Sequence, residues 1–340
     1  MQAVVMAGGR GQRLRPLTTL MPKPLVPLFG RPLLGHLLDQ MPGWGIDDAI
    51  LTIGYRAQSI RDYVESEDNG LSIHCVEEET PLGTAGGVRR ALSLLEDTFI
   101  ILSGDGLLDI DVPGLVRQHH DEHNAVTMCL SQPESGLQFG LVEVGDGTAV
   151  QRFLEKPRFA DVFSGQGLNT GVYVVSRRAI EMVPDGATWD FSHDLFPYLL
   201  SHGERIGGRY ATRYWRDVGT IPSYLDAHWD VLNGLVTLPT VRPHLVSPDA
   251  LPASVEVVAP VSIAPGATIG SGAELEGPLV IGPNTQIDAE AHLTHAVLWE
   301  DVRVGHGATL DQVVLTDHAR VAPGSRVHGG VVMARGAPAS

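Results

Sequence analysis

Ala3-Val4-Val5-Met6-Ala7-Gly8-Gly9-Arg10-Gly11-Gln12-Arg13-Leu14-Arg15-Pro16-Leu17-Thr18 runs a short apolar strand straight into a glycine-rich, basic loop, with Pro22-Lys23-Pro24 close behind. Glycines let backbone N–H groups come close to an anion, a following helix adds its positive end, and Arg13 and Lys23 supply full charges. Gly8, Gly9 and Gly11 with these two cations therefore predict a phosphate cradle. Two better-known cradles do not fit the letters. A Walker A loop needs lysine and a hydroxyl residue directly after its last glycine, where this chain has Gln12-Arg13. Counted from Gly9, a dinucleotide fingerprint finds Gly11 in place but Leu14 where its third glycine belongs.

The positive charge of this loop has to be local, because the chain as a whole carries a net charge of −16. That balance argues against nucleic acid or an anionic membrane as partner, since both are read by a basic excess. With 340 residues, 43% of them apolar, the chain can bury the cores of two domains. The start has no basic segment leading into a long apolar one, and no apolar run reaches the roughly eighteen residues of a membrane span. The expectation is a soluble, cytoplasmic protein. Cys75 and Cys129 stand alone in apolar runs without a CxxC partner and read as two buried core thiols.

Outward from the loop, short apolar runs alternate with helical segments as far as residue 235. Gln2–Ala7, Asp48–Gly54, Leu71–Glu77 and Thr98–Gly104 read as strands, and Tyr55–Ser66, with Ile60 and Val64 one turn apart, as an amphipathic helix. Such alternation predicts an α/β fold with a Rossmann-like, mainly parallel sheet covered by helices. Ligands of open α/β sheets sit at the carboxyl ends of the strands, where both the glycine loop and Asp105 fall. Beyond Asp105 the chain is richer in strands (Ala125–Ser131, Gly140–Val144, Ala149–Leu154, Leu168–Val175), which predicts a mixed extension of the sheet.

The last third keeps a different period. Val257, Ile263, Ile269, Leu275, Ile281, Ile287 and Leu293 recur every six residues; Leu298, Val304 and Leu310 continue after a five-residue step, and Leu315, Val321, Val327 and Met333 after another. Neither a helix nor an ordinary strand has this period; a parallel β-helix does, each turn stacking aliphatic side chains on the turn before. The expected division is a first domain over 1–235, a linker over 236–253 marked by Pro239, Pro243, Pro248 and Pro252, and a β-helix over 254–335. Flat β-helix faces suit lateral packing, so a homo-oligomer is expected.

The opening stretch resembles the signature of the sugar-nucleotidyltransferase family, G-G-x-G-x-R-L-x-P-L-T followed by P-K-P, departing from it at Gln12, where many members carry threonine. The β-helix likewise looks like the left-handed hexapeptide type found at the C-termini of several nucleotidyltransferases. The resemblance implies transfer of a nucleotidyl group from an NTP to a sugar 1-phosphate, giving NDP-sugar and pyrophosphate. Such a reaction neutralises a triphosphate and aligns a phosphate oxygen with the α-phosphorus, which suits Mg²⁺ held by carboxylates. By themselves Asp105, in Ser103-Gly104-Asp105, and Asp217, in Tyr214-Trp215-Arg216-Asp217-Val218-Gly219-Thr220, read as turn or cap residues. In these contexts they resemble the two metal-binding aspartates of the family. Glu155-Lys156-Pro157 resembles its E-K-P motif, in which lysine holds the sugar phosphate and the carboxylate grips sugar hydroxyls. Phe139-Gly140 and Asn169-Thr170-Gly171-Val172-Tyr173 resemble its sugar-site segments, with Asn169 on a hydroxyl and Gly140 and Gly171 allowing close approach.

In the family, Leu82-Gly83-Thr84-Ala85-Gly86-Gly87 borders the nucleotide base. A glycine-rich helix start can press backbone amides and a flat peptide face against such a ring, and Thr84 can equally be a plain N-cap. Its L-G-T-A-G form is similar to that of mannose-1-phosphate guanylyltransferases, which implies GTP and mannose 1-phosphate. Glucose-1-phosphate thymidylyl-, uridylyl- and adenylyltransferases stay open, since a few hydrogen bonds choose a base. The expected catalytic set is Arg13, Lys23, Asp105, Lys156 and Asp217; Leu82, Gly83, Thr84 and Gly104 join the loop in holding nucleotide. A non-catalytic regulatory homologue would be expected to have lost some of these five, and all are present. His119, His120 and His123 read as surface histidines of a polar helix. His292, His295, His306, His318 and His328 decorate β-helix turns, which leaves open the acyl transfer that some hexapeptide-repeat proteins perform with a histidine base.

Overall fold

A computed structural model describes residues 1–132, 140–145, 147–154, 166–245 and 251–334. Among these residues the chain forms two compact units: 1–9 with 37–215, and 10–36 with 216–340. The glycine loop beyond Gly9 and the stretch from Arg216 thus group with the C-terminal β-helix rather than with the sheet.

The first unit is built on a nine-stranded mixed sheet. Its strands are β1 (Gln2–Met6), β2 (Asp48–Ile53), β3 (Ser72–Glu77), β4 (Thr98–Ser103), β6 (Val126–Ser131), β7 (Leu141–Val144), β8 (Val150–Leu154), β9 (Gln166–Ser176) and β10 (Ile206–Tyr210). A separate ribbon pairs β5 (Gly106–Ile110) with β11 (Thr212–Asp217). The spatial order is β8-β7-β9-β4-β1-β2-β3, with β6 also on β9 and β10 on β6. β4, β1, β2 and β3 run parallel, as expected. Central strands with both faces covered read as unbroken apolar runs, and Ala3, Val4, Val5, Phe99, Ile100, Ile101 and Leu102 are all fully buried. The edge strand β3 alternates exposed and half-buried residues instead. Helix α1 (Ala57–Ser66) buries Ala57, Ile60 and Val64 on one face. Long β9 is the antiparallel seam, pairing with β4, β6 and β7 and bulging between Asn169 and Tyr173.

In the second unit three parallel sheets repeat around a coil, the arrangement of a left-handed hexapeptide β-helix. Glu256 stands beside Glu274, then His292, Thr309 and Arg326, successive steps of 18, 18, 17 and 17 residues. The inward ladders are Leu275, Leu293 and Leu310; Ile281, Leu298 and Leu315; and Ile287, Val304 and Val321, all within one apolar core. The five-residue step recurs once more than the sequence suggested: Leu315 pairs with Val332, so Val332 and not Met333 continues its ladder. Corners carry residues of positive φ every five or six positions, among them Asn284, Glu290, His295, Asp301, Gln312 and His318. His295 and His318 are thus turn residues by backbone conformation.

One side of the β-helix is apolar outside as well as inside. Leu279-Val280-Ile281, Ala296-Val297-Leu298 and Val313-Val314-Leu315 are buried throughout, although Val280, Val297 and Val314 alternate with the core ladders. Helix α2 (Ile221–Leu232) belongs to the same unit and lies by this side. The Trp299 indole N–H donates to the Tyr224 hydroxyl at 2.9 Å, and that hydroxyl donates to Pro27 O at 2.6 Å. In the stretch 236–245, Val236, Leu238 and Val241 are buried while most of the other residues are exposed. Of the two cysteines, Cys129 is buried as expected, its thiol pushed up to about 12 by desolvation. Cys75 is only half-buried, because it sits on the edge strand β3.

Candidate active site

At the carboxyl edge of the sheet, Met6 stands opposite both Thr52 and Ser103, so the segments leaving β1, β2 and β4 start level with one another. Gly8-Gly9 and Gly104-Asp105 are therefore neighbours. Gly104 N–H donates to Met6 O at 3.0 Å, and a Cβ there would lie 3.1 Å from that oxygen. Gly8 O accepts from Tyr55 N–H at 3.2 Å, while Gly9 is exposed, and a Cβ added there would meet nothing within 4 Å. The Ser103 hydroxyl donates to Asp105 Oδ1 at 2.5 Å. Ser103, which opens the Ser103-Gly104-Asp105 run, thus holds the Asp105 carboxylate from the end of β4.

The bulge of β9 brings Gly171 to the same edge. A Cβ on Gly171 would lie 3.9 Å from that of Ser103, and its φ of +75° is a conformation glycine adopts without strain. Asn169 Oδ1 accepts from Gly171 N–H at 3.1 Å, and Asn169 N–H donates to the O of buried Gly140 at 2.9 Å. These bonds fix the Asn169 side chain and leave its Nδ2 without a partner among the described residues. Phe139, Glu155 and Lys156 lie outside the described residues.

Leu82 to Gly87 form a helix start, but with different physics from that expected. The helix runs Gly83–Arg90 with Leu82 as N-cap, so Thr84 lies inside the first turn and is not the cap. The amides of Ala85 and Gly86 donate to Trp189 O at 2.9 and 3.0 Å, so they are already engaged by protein. A Cβ on Gly83 would stand 2.4 Å from Trp189 O, one on Gly86 2.5 Å from Ala187 O, and one on Gly87 2.3 Å from Glu78 Oε1. The glycines make room for protein backbone and for Glu78. Burial holds the Glu78 carboxyl above the usual range, while its bond from Leu82 N–H works the other way. The Thr84 hydroxyl donates to Asp190 Oδ2 at 2.7 Å, a partner no sequence pattern had indicated.

In the second unit the cations of the loop meet a carboxylate. Gly11 takes a φ of +58°, and a Cβ there would meet Lys23 Cβ at 2.8 Å and Thr18 Cγ2 at 2.9 Å. Gly11 O accepts from Leu14 N–H and from the Thr18 hydroxyl, which closes the loop on itself. Lys23 Nζ lies 3.1 Å from Asp217 Oδ1, and Arg13 Nη2 3.4 Å from Asp217 Oδ2. The Lys23 side chain is only 8% exposed, that of Arg13 61%. One cation is thus held inside while the other reaches solvent. Gly219, which the sequence did not single out, leaves room for this pair: a Cβ there would fall 2.6 Å from Asp217 Oδ2 and 3.0 Å from Arg13 Nη2. Next to it, Thr220 and Ser223 form a capping box that starts helix α2.

The histidines divide. His120 and His123 are exposed as expected. His119 is buried, between the hydroxyls of Thr127 and Ser176 at 3.1 and 3.0 Å, and desolvation lowers its pKa to about 4. The polar letters around it hid the one helix face that meets the sheet.

Residues 2–234 match the model of the nucleotidyl transferase family, and residues 257–338 that of the GMPPB C-terminal domain. The chain belongs to the nucleotidyl transferase family. It is 34% identical over 313 residues to a mannose-1-phosphate guanylyltransferase of Mycobacterium tuberculosis, covering 91% of this chain and 83% of that one. To a UTP–glucose-1-phosphate uridylyltransferase of Synechocystis it is 29% identical over 337 residues, covering 91% and 86%. The crystal structure of HddC from Yersinia pseudotuberculosis complexed with GMP-PN is similar with a TM-score of 0.59 and 26% identity, over 68% of this chain and 99% of that one. The chain is accordingly a sugar-1-phosphate nucleotidyltransferase, as its opening motif implied. Among the described residues no helix is long and apolar enough to cross a membrane.

Proposed function

We propose that this nucleotidyltransferase moves GMP from GTP to mannose 1-phosphate, giving GDP-mannose and pyrophosphate, with Mg²⁺ as cofactor. The observation that carries the reading is the arrangement of Lys23 and Arg13 on Asp217, two cations fixed in advance for an anionic leaving group. The choice of base and sugar is supported by the L-G-T-A-G run and by the 34% identity to the guanylyltransferase. A phosphate oxygen of the sugar 1-phosphate attacks the α-phosphorus, the bond from that phosphorus to the bridging oxygen breaks, and pyrophosphate departs. The nucleophile is ionised at neutral pH, so the protein supplies position and charge rather than a base. Lys23 and Arg13 draw charge from the leaving group; Gly8, Gly9, Gly11 and Gly104 give the phosphates access to backbone. Leu82, Gly83 and Thr84 border the base. Lys156 and Glu155 hold the sugar phosphate and sugar, with Asn169 Nδ2 on a hydroxyl beside Gly140 and Gly171.

Among the described residues no group of three or more His, Cys, Asp or Glu side chains could cage a metal. Asp105 and Asp217 instead offer the one or two carboxylates that suit Mg²⁺ when phosphate oxygens and water complete its shell. Bound there, Mg²⁺ would neutralise the triphosphate. We further propose a cytoplasmic enzyme that assembles as a homo-oligomer through its β-helix, to be checked by mass in solution. The deciding experiment is pyrophosphate release from GTP, dTTP, UTP, ATP and CTP against mannose, glucose and N-acetylglucosamine 1-phosphates, with and without Mg²⁺. The expected signal is GTP with mannose 1-phosphate, dependent on Mg²⁺; a stronger signal with UTP and glucose 1-phosphate would transfer the reading to a uridylyltransferase.

A further inference from the structure

Within the first unit, the segment 187–196 grips the loop 82–87 at several points. Trp189 N–H donates to Leu82 O at 2.9 Å, while Trp189 O takes the amides of Ala85 and Gly86. A side-chain bond joins these main-chain ones. The Thr84 hydroxyl gives its proton to Asp190 Oδ2 at 2.7 Å and accepts from Phe191 N–H at 3.0 Å. A hydroxyl has a single proton, so Thr84, although exposed, has none left to offer a nucleotide base. Its bonds hold the loop rather than read a ligand.

Asp190 serves two elements at once. Its Oδ1 accepts from the amides of Ser192 and His193 at 2.8 and 3.4 Å and so caps the π turn Phe191–Leu195, while its Oδ2 takes Thr84. Asp194 Oδ2 accepts from Asp190 N–H at 2.7 Å, which fixes the main chain from which that carboxylate projects. Single π turns are frequent at functional sites. This one is anchored in the core: Phe191 and Phe196 are buried with Tyr173, their ring centroids 5.5 and 5.1 Å from its own. Tyr173 lies on β9 two residues beyond Gly171, so the anchor stands on the strand that carries Asn169 and Gly171. The segment thus reaches from the strand of the expected sugar site to the loop of the expected base site.

We propose that Asp190 is a positioning residue for the nucleotide, acting through the Thr84 hydroxyl to hold the Leu82–Gly87 loop in place relative to β9. The inference rests on the reading of that loop as the border of the base. The aromatic anchor on β9 does not depend on the Thr84 bond, so losing the bond loosens the loop and leaves the sugar segment where it is. Nucleotide and sugar phosphate should therefore respond differently.

The test is the initial rate of pyrophosphate release with both substrates varied, on the nucleotide and sugar 1-phosphate pair that wild type turns over fastest. The first variant is Asp190→Asn. An amide has one oxygen where a carboxylate has two, so asparagine can serve the cap amides or the Thr84 hydroxyl but not both, and it remains a good cap. KM for the nucleotide is expected to rise about ten-fold, the scale of one hydrogen bond to a charged group, with kcat and the KM for sugar 1-phosphate within about two-fold of wild type. Thr84→Val should raise the same constant at least as far, Thr84→Ser should recover most of that loss, and adding Asp190→Asn to Thr84→Val should bring no further rise. Thr84→Val decides the matter if Asp190→Asn melts early. An unchanged nucleotide KM in both variants, equal rises in the two KM values, or effects that multiply in the double variant overturn the proposal. If the fastest pair is not GTP with mannose 1-phosphate, the substrate assignment fails while the same comparison still decides the role of Asp190.

Discussion

In the sheet of the first unit a residue's surroundings come from partners scattered along the chain, whereas in the β-helix they come from residues 17 or 18 positions away. β9 meets β4, β6 and β7 along one strand, while Leu293 meets Leu275 below and Leu310 above. The difference explains where chemistry is found. A repeating stack gives each position the same neighbours and so builds walls and corners; convergence of unlike segments is needed to set two cations on one carboxylate. The loop that carries Arg13 and Lys23 makes the point, since Lys23 meets Asp217 across 194 residues of sequence.

The largest effect is expected at that convergence. Lys23→Ala should lower kcat by about 10²–10⁴-fold, the range for losing one preorganised charge at a reacting phosphate. The substitution leaves Arg13 on Asp217, so the melting temperature should move little by comparison. Steady-state pyrophosphate release read beside a thermal melt checks both, and near-wild-type turnover would remove Lys23 from the mechanism.

The β-helix should respond in the opposite way, through stability. Leu310 is fully buried between Leu293 and Val327, and Leu310→Ala should cost about 2–5 kcal/mol by calorimetry. Because each coil contacts only its neighbours, that loss should fall on the second unit first. A loss below about 1 kcal/mol would mean that the ladder is not a continuous packed stack.

What could be read in advance follows the same division. The ladder from Val257 to Val327 was visible because its spacing is local, and only its last rung was misplaced, by the extra short step to Val332. The carboxyl-edge placement of Gly8, Gly9 and Asp105 was legible from strand order. The use of Gly83 and Gly86 was not, because the backbone of residues 187–190 that fills their space is about a hundred residues away. Nor could letters alone tell that His119 is buried while its neighbour His120 faces solvent; the packing of that helix on Thr127 and Ser176 decides it. Valines 280, 297 and 314 carried a signal that was overlooked: an apolar residue between two core positions marks the side of a β-helix that is covered.

Acid should act on both units through buried histidines, His119 in the first and His228 in the second. His119 and His228 have folded-state pKa values lowered to about 4 by desolvation. An unfolded histidine titrates near 6.5, so between pH 6.5 and 4 the unfolded chain binds protons that the folded one refuses. Stability is therefore fully present above pH 6.5 and falls as the pH drops towards 4, by on the order of 3 kcal/mol per histidine. Urea melts at pH 7, 6, 5 and 4 should show that slope, and a His119→Gln, His228→Gln double variant should flatten it. An equal slope in the double variant would assign the effect to carboxylates such as Asp111 and Glu122, whose pKa values are also lowered in the fold.

The smallest effect sets two glycines of positive φ side by side. Gly307 turns a β-helix corner at φ +63° with nothing within 4 Å of an added Cβ, and Gly83 starts its helix at φ +74° with Trp189 O 2.4 Å away. Other corners of the β-helix already hold Asn284, Glu290 and Gln312 in this conformation. Gly307→Asn should therefore cost at most about 1 kcal/mol, the penalty for a polar residue in the left-handed region. Gly83→Ala adds a collision with backbone that itself accepts from Ala85 and Gly86, so it should cost several times more and loosen the segment around Trp189. If parallel melts put the two substitutions level, conformation alone governs these glycines. If Gly83→Ala is much the worse, crowding from distant sequence is what separates the sheet unit from the repeat.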